Sequence, residues 1–324
     1  MPTYPGISSE AFRHPLDRQA EAALRSVPGF DLVASKFIEF IYERPQHIYL
    51  MGNSIQVGPR QYASLYQIFR SCVHSLDVYP EPTLFVSQNP QVNSYSLGKE
   101  QPYVVVNTGL LDLLEPAELE VVFAHELGHI KCGHPLLNQM ALWAMNFASI
   151  IGDFTLGIGN LVSSGLIFAF YEWRRKAELS ADRASLLVTN DLNQVIVTLM
   201  KLSGVSQKYF HECSVSEFIR QSENYHNLDQ DELNQVYKFL LYNGGQGMML
   251  SHPFPVERLR YLQEWAKSGE YQQIVQGNYP QGSGEGAVDV PTQPSSNTEV
   301  ESLQREIEEL QREINRYKSS QGQS

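Results

Sequence analysis

His125, Glu126 and His129 fall within five consecutive residues, His125-Glu126-Leu127-Gly128-His129, and their types suit a metal ion with an acid–base group beside it. On a helix, residues four apart share a face, so the two imidazoles can reach one cation. Glu126 then sits next to that cation, placed to take a proton from a water activated there. This is the chemistry of peptide-bond hydrolysis. The bland alternative is a pair of histidines on an exposed helix turn. Val121, Val122, Ala124, Leu127, Gly128 and Ile130 argue against it, because they make the helix largely buried. Buried there, two histidines and a glutamate are costly without a ligand or partner.

The third ligand needs its own argument. The extended zinc pattern H-E-x-x-H-x-x-G-x-x-H would require glycine at Cys132 and histidine at Pro135, and both fail; His134 comes one position early. A downstream carboxylate is left. Glu178 and Asp182, again four apart on an expected helix, face one way. Glu178 would complete a two-histidine, one-glutamate set, and Asp182 would accept the hydrogen bond from the outer nitrogen of a ligand histidine. The competing reading is a solvated helix face, since Glu172, Arg174, Arg175, Lys176 and Arg183 are near.

With these residues in place, the chain resembles the gluzincin metallopeptidases of the CAAX-prenyl-protease and HtpX type, family M48. The stretch 113–124 leads into the zinc motif as that family does, and Glu178 and Asp182 fall on its E-x-x-A-D element. Ser251-His252-Pro253 followed by Arg258 is similar to its late H-P…R element. Asn93-Ser94-Tyr95-Ser96-Leu97-Gly98 resembles its N-A-[FY]-A-x-G segment, with serine at both alanine positions. The resemblance covers residues 12–264. It implies one zinc ion per chain, held by His125, His129 and Glu178, with Glu126 as general base and then acid. It implies that 93–98 form an edge strand that pairs with an extended protein or peptide substrate. His252 would stabilise the oxyanion or support the site, with a loop cap before a helix as the equal alternative. Arg258 would orient the local structure.

Composition bounds the rest. A chain of 324 residues with 42% hydrophobic content can form one sizeable core with appendages. Its formal net charge of -12 disfavours nucleic acid or an anionic membrane surface as the main partner. Cys72, Cys132 and Cys213 are few and far apart, so no disulfide framework is implied. Cys132, one turn past His129, is expected as a small buried residue, with redox sensitivity or rival metal binding as the alternative. The opening residues carry no basic-then-apolar signal, which favours a cytoplasmic protein. Residues 136–171 contain one charged side chain, Asp153. Asn138, Gln139, Asn146 and Gly152-Asp153 interrupt the run, so a buried helical hairpin is expected there, with peripheral membrane contact as the alternative.

The elements that must position the site follow from periodicity. Helices are expected over 15–30, 30–43 and 61–78, a hairpin around Gly52-Asn53 within 49–57, and strands over 83–86, 93–98 and 103–107. From 118 to about 274 the chain is expected to be mainly helical. The fold class is α+β: a mainly helical zincin-type peptidase with a small sheet flanking the catalytic helix.

The expected peptidase domain is 1–275. Residues 276–298, rich in Gly, Pro, Ser and Gln, are expected to be a disordered linker. Over 299–319, Val300, Leu303, Ile307, Leu310, Ile314 and Tyr317 recur at steps of three and four, the seam of a short coiled-coil helix. That seam would serve homo-oligomerisation or a partner, with a docked or frayed amphipathic helix as the alternative. Two functions are in view. One is a zinc endopeptidase acting on unfolded or damaged proteins. The other is a latent peptidase fold that binds through its tail.

Overall fold

A computed structural model describes residues 1–27, 30, 34, 44–140, 158–230, 234, 238 and 254–282. The elements in order are helix α1 (Pro15–Arg25), α2 (Arg44–Asn53), strand β1 (Ile55–Gln56), α3 (Ala63–Ser75), β2 (Thr83–Ser87), β3 (Ser94–Leu97) and β4 (Tyr103–Asn107). Helices α4 (Thr108–Leu113), α5 (Pro116–Cys132), α6 (Ile158–Thr189), α7 (Leu192–Gly204), α8 (Val215–Asp229), α9 (Pro255–Ala266) and α10 (Gly269–Val275) follow. This is the expected α+β architecture.

The sheet runs in the order β1-β2-β4-β3, with β2 and β4 parallel and both outer pairs antiparallel. Its centre is β4, buried at every position, as a Tyr-Val-Val-Val run with two covered faces should be. Alternation sends Val104 and Val106, with Leu84 and Val86, into the main core beside Leu119, Phe123 and Leu127 of α5. Tyr103, Val105 and Phe85 point the other way, where Leu50 of α2 covers them. The sheet is thus held between α2 and α5. Strand β3 lies at its edge and rests against α5.

Helix α5 is defined at both ends. Pro116 occupies its first turn, Glu115 and Glu118 exchange the two bonds of a capping box, and Gly133 at φ 72° ends it. The Glu118 carboxylate also meets Lys201 Nζ of α7 at 2.7 Å, with both side chains buried. Helix α5 packs most extensively on α6.

Two local expectations are corrected. No hairpin forms around Gly52-Asn53: residues 49–53 belong to α2, and Ile55 pairs instead with Val86 of β2. In a strand Ile48 would share the face of Leu50, yet Ile48 is exposed with Tyr49 and Met51, and Leu50 alone of the four is buried against the sheet. The first helix stops at Arg25 and not near 30, since the Ser26 hydroxyl and N–H fold back on the Ala23 carbonyl. The expected helix over 30–43 lies almost wholly outside the described residues, and 141–157 of the hairpin and the coiled-coil seam at 299–319 lie outside them altogether. Among the described residues, no helix is long and apolar enough to cross a membrane. Residues 276–282 run beside the amino terminus, with Ile7 bridged to Gln281 and the Ser8 N–H donating to the Pro280 carbonyl at 2.9 Å.

Candidate metal centre

While Glu126 meets Ser94 of β3, the α5 helix turns His125 and His129 towards α6, and α6 answers with Glu178 and Asp182. What allows this is Gly128 on α5, which faces Ala181 and Ala184; a Cβ at Gly128 would lie 2.6 Å from Ala184 Cβ. With small residues on both sides, the two backbones approach closely, and the polar groups one turn away are brought within reach of one another. The Ser185 hydroxyl reinforces the contact by donating to the Val121 carbonyl at 2.9 Å.

Three side chains converge. His125 Nε2 lies 3.2 Å from His129 Nε2 and 3.2 Å from Glu178 Oε2, while His129 Nε2 lies 3.3 Å from Glu178 Oε1. Among the described residues these three form the group of His, Cys, Asp or Glu side chains able to hold a metal ion, with one donor atom from each within 4.8 Å of the others. Two imidazole nitrogens and a carboxylate are the donor set that zinc accepts. The solvated-face reading of Glu178 fails, since Glu178 and Asp182 are each 3% exposed. Cys132 is buried and stands outside the cluster.

The surroundings fix the outer nitrogens. Asp182 Oδ1 accepts from His125 Nδ1 at 3.1 Å, as the sequence suggested for one of the two histidines. Arg258 of α9 then donates to Asp182 from Nε at 2.8 Å and from Nη2 at 2.5 Å, and its Nη1 lies 3.4 Å from Glu178 Oε2. Burial would lift the Asp182 carboxyl, but the Arg258 guanidinium outweighs it and holds the group at about 2. Burial opposes charge on His125, yet its hydrogen bonds to Asp182 and Glu178 push the imidazole up to about 9. Burial dominates at His129 and lowers it, helped by the neighbouring His125 and His134.

Glu126 is buried beside this group, and Ser94 Oγ of β3 donates to its Oε1 at 2.7 Å. The segment Asn93, Ser94, Tyr95, Ser96, Leu97 and Gly98 is strand β3 with its flanks. Its backbone pairs with β4 from Ser94 opposite Val106 to Leu97 opposite Tyr103. Gly98, at φ +79°, cannot be exchanged freely, since a Cβ there would lie 2.3 Å from the Gln101 carbonyl oxygen. His252 lies outside the described residues.

Residues that sequence reasoning passed over stand on the far side of His129. His134 Nδ1 is 2.8 Å from His129 Nδ1, and His134 Nε2 is 3.0 Å from Asp17 Oδ2. Gly133, left-handed at φ 72°, ends α5 immediately before His134. The sequence signal for His134 was its place five residues after His129; Asp17, in α1, had none.

The family model "Peptidase family M48" matches residues 59–266. The chain is 33% identical over 274 residues to the plastoglobule-localized metallopeptidase 48, chloroplastic, of Arabidopsis thaliana, covering 83% of this chain and 76% of that one. It is 31% identical over 154 residues to protease HtpX homolog 2 of Methanosarcina mazei, covering 40% of this chain and 51% of the relative. It is 26% identical over 254 residues to the protease HtpX homolog of Moorella thermoacetica, covering 69% and 79% of the two chains. No solved structure matches.

Proposed function

The chain belongs to peptidase family M48 and is a metalloprotease; we propose that it is an endopeptidase hydrolysing unfolded or damaged proteins. Peptidases of the family are zinc-dependent. The observation that carries the reading is the convergence of His125 Nε2, His129 Nε2 and the Glu178 carboxylate, with Glu126 buried at their side. In this reading His125, His129 and Glu178 hold one zinc ion per chain. Bound there, zinc supplies a Lewis acid and makes a water more acidic.

The remaining work falls to the chain's own residues. Glu126 takes the proton from the attacking water and delivers it to the departing amine. Ser94, donating to Glu126 Oε1, holds that carboxylate in one orientation and leaves its other oxygen for the water. Asp182 keeps the His125 proton on Nδ1 and so keeps Nε2 as a donor atom, while Arg258 balances the two carboxylates of α6. The outer edge of β3 accepts an extended substrate backbone by strand addition. A chain segment already folded has spent its backbone bonds elsewhere, which favours unfolded substrates.

We propose a cytoplasmic protein. Peripheral membrane contact through 136–171 is the second reading; one relative's name places that relative at plastoglobules. Association through 299–319 is the proposed route to a homo-oligomer, tested by truncation after Gly282. The central test is cleavage of casein by the zinc-loaded chain beside Glu126→Gln. Cleavage by the wild type alone is expected. Equal cleavage by the variant would remove Glu126 from its role, and no cleavage by either would return weight to a binding protein that works through its tail.

A further inference from the structure

Asp17 is fully buried and accepts at Oδ2 from three donors: Ser180 Oγ at 2.7 Å, Arg13 Nε at 3.0 Å and His134 Nε2 at 3.0 Å. An ionised carboxylate only accepts, so His134 must carry a proton on Nε2. Arg13 pairs with both Asp17 and Glu21, and Glu21 pairs with Arg25. The metal reading needs a lone pair on His129 Nε2, which places that ring's hydrogen on Nδ1 and leaves His134 Nδ1 as its acceptor. The two Nδ1 atoms lie 2.8 Å apart. His129 Nε2 is directed at the point shared with His125 and Glu178. His134 itself is fully buried, its ring held edge-on between His129 and Trp173.

We propose that His134 and Asp17 are positioning residues for His129, forming a carboxylate–imidazole–imidazole relay that fixes its tautomer and turns its Nε2 towards the metal. The inference rests on the metal reading of the site. His125 receives the same service from Asp182 directly, across one hydrogen bond. Among the described residues no carboxylate meets His129 Nδ1 directly, and an intervening histidine spans the gap to α1. The relay ties the metal helix to a segment more than a hundred residues earlier in the chain.

The test uses the full chain, stripped of metal and titrated with zinc against a chromophoric chelator. In His134→Phe the ring volume stays but the acceptor for His129 and the donor for Asp17 are lost, and zinc affinity should fall about 10- to 100-fold. In His134→Gln the amide keeps one acceptor and one donor, and most of that affinity should return. A role in packing alone would favour Phe over Gln, so Phe equal to or tighter than Gln overturns the relay. A wild-type chain that takes up no zinc would overturn the metal reading, and the relay with it. Should both variants fail to fold, the ring-nitrogen NMR spectrum of the zinc-loaded wild type decides. A proton on His129 Nδ1 with a bare His134 Nδ1 supports the relay, and a proton on His134 Nδ1 overturns it.

Discussion

Gly128 of α5 and Ala184 of α6 face each other so closely that a methyl group at position 128 would lie 2.6 Å from Ala184 Cβ and 3.1 Å from Ala181 Cα. The close approach sets the separation between the helix carrying His125 and His129 and the helix carrying Glu178 and Asp182. The geometry of the His125, His129 and Glu178 cluster therefore depends on a residue that contributes no side chain to it.

Gly128→Ala should be destabilising despite the better helix propensity of alanine, which returns about 1 kcal/mol at most. Overpacking against the Ala181 backbone costs about 1–3 kcal/mol. The same displacement moves Glu178 away from the histidines. Thermal unfolding should show a lower midpoint, and chelator competition a weaker zinc complex. A variant with unchanged zinc affinity would mean that α6 can shift without disturbing the site.

Arg258→Met removes the cation that serves Asp182 and Glu178, leaving two buried carboxylates less compensated. Breaking a buried pair in this way costs about 3–5 kcal/mol. Zinc restores positive charge at the same place, so the loss should be larger in the metal-free chain than in the zinc-loaded one. Urea unfolding with and without zinc measures both. Equal losses in the two states would show that Arg258 is not balancing the metal-site charge.

Asp17 contributes pH-dependent stability. Burial would raise its carboxyl, but His134 and Arg13 outweigh burial and hold it well below the ordinary carboxylate range. Its contribution is therefore fully present above the unfolded value near 4, and is lost as pH falls towards the folded value. Compared with Asp17→Asn, the wild type should be more stable at pH 7. Below about pH 4 that advantage should shrink by about 1.4 kcal/mol per pH unit. A stability gap that stays constant between pH 7 and pH 3 would contradict the ionised state of Asp17.

The three thiols should react unequally. Cys213 is exposed, whereas Cys72 and Cys132 are buried and free. Burial pushes both buried thiols far up, so neither offers a thiolate at neutral pH. A disulfide-exchange reagent should titrate one thiol quickly in the native chain and three after denaturation. Fast loss of two or more thiols would indicate that the core around α3 or the end of α5 opens readily.

The sequence by itself determined what lies within one helical turn. The spacing of His125 and His129, and of Glu178 and Asp182, is set by local periodicity, and each pair does share a face. Strands 83–86 and 103–107 were legible for the same reason, since β-branched and aromatic runs favour extended backbone; 93–98 has no β-branched residue and was legible through its resemblance to a family segment. The residues around Gly52 were misread because a local hairpin and a helix compete there on equal terms. Pairing with β2 and a place for Leu50 under the sheet, both distant in sequence, settled it. Tertiary structure alone decided which histidine Asp182 serves, which cation balances Asp182 and Glu178, that Ser94 donates to Glu126, and that Asp17 reaches His134 from 117 residues away. Those contacts come from separate elements folding onto one core, and no periodicity in the chain encodes which buried polar group will meet which.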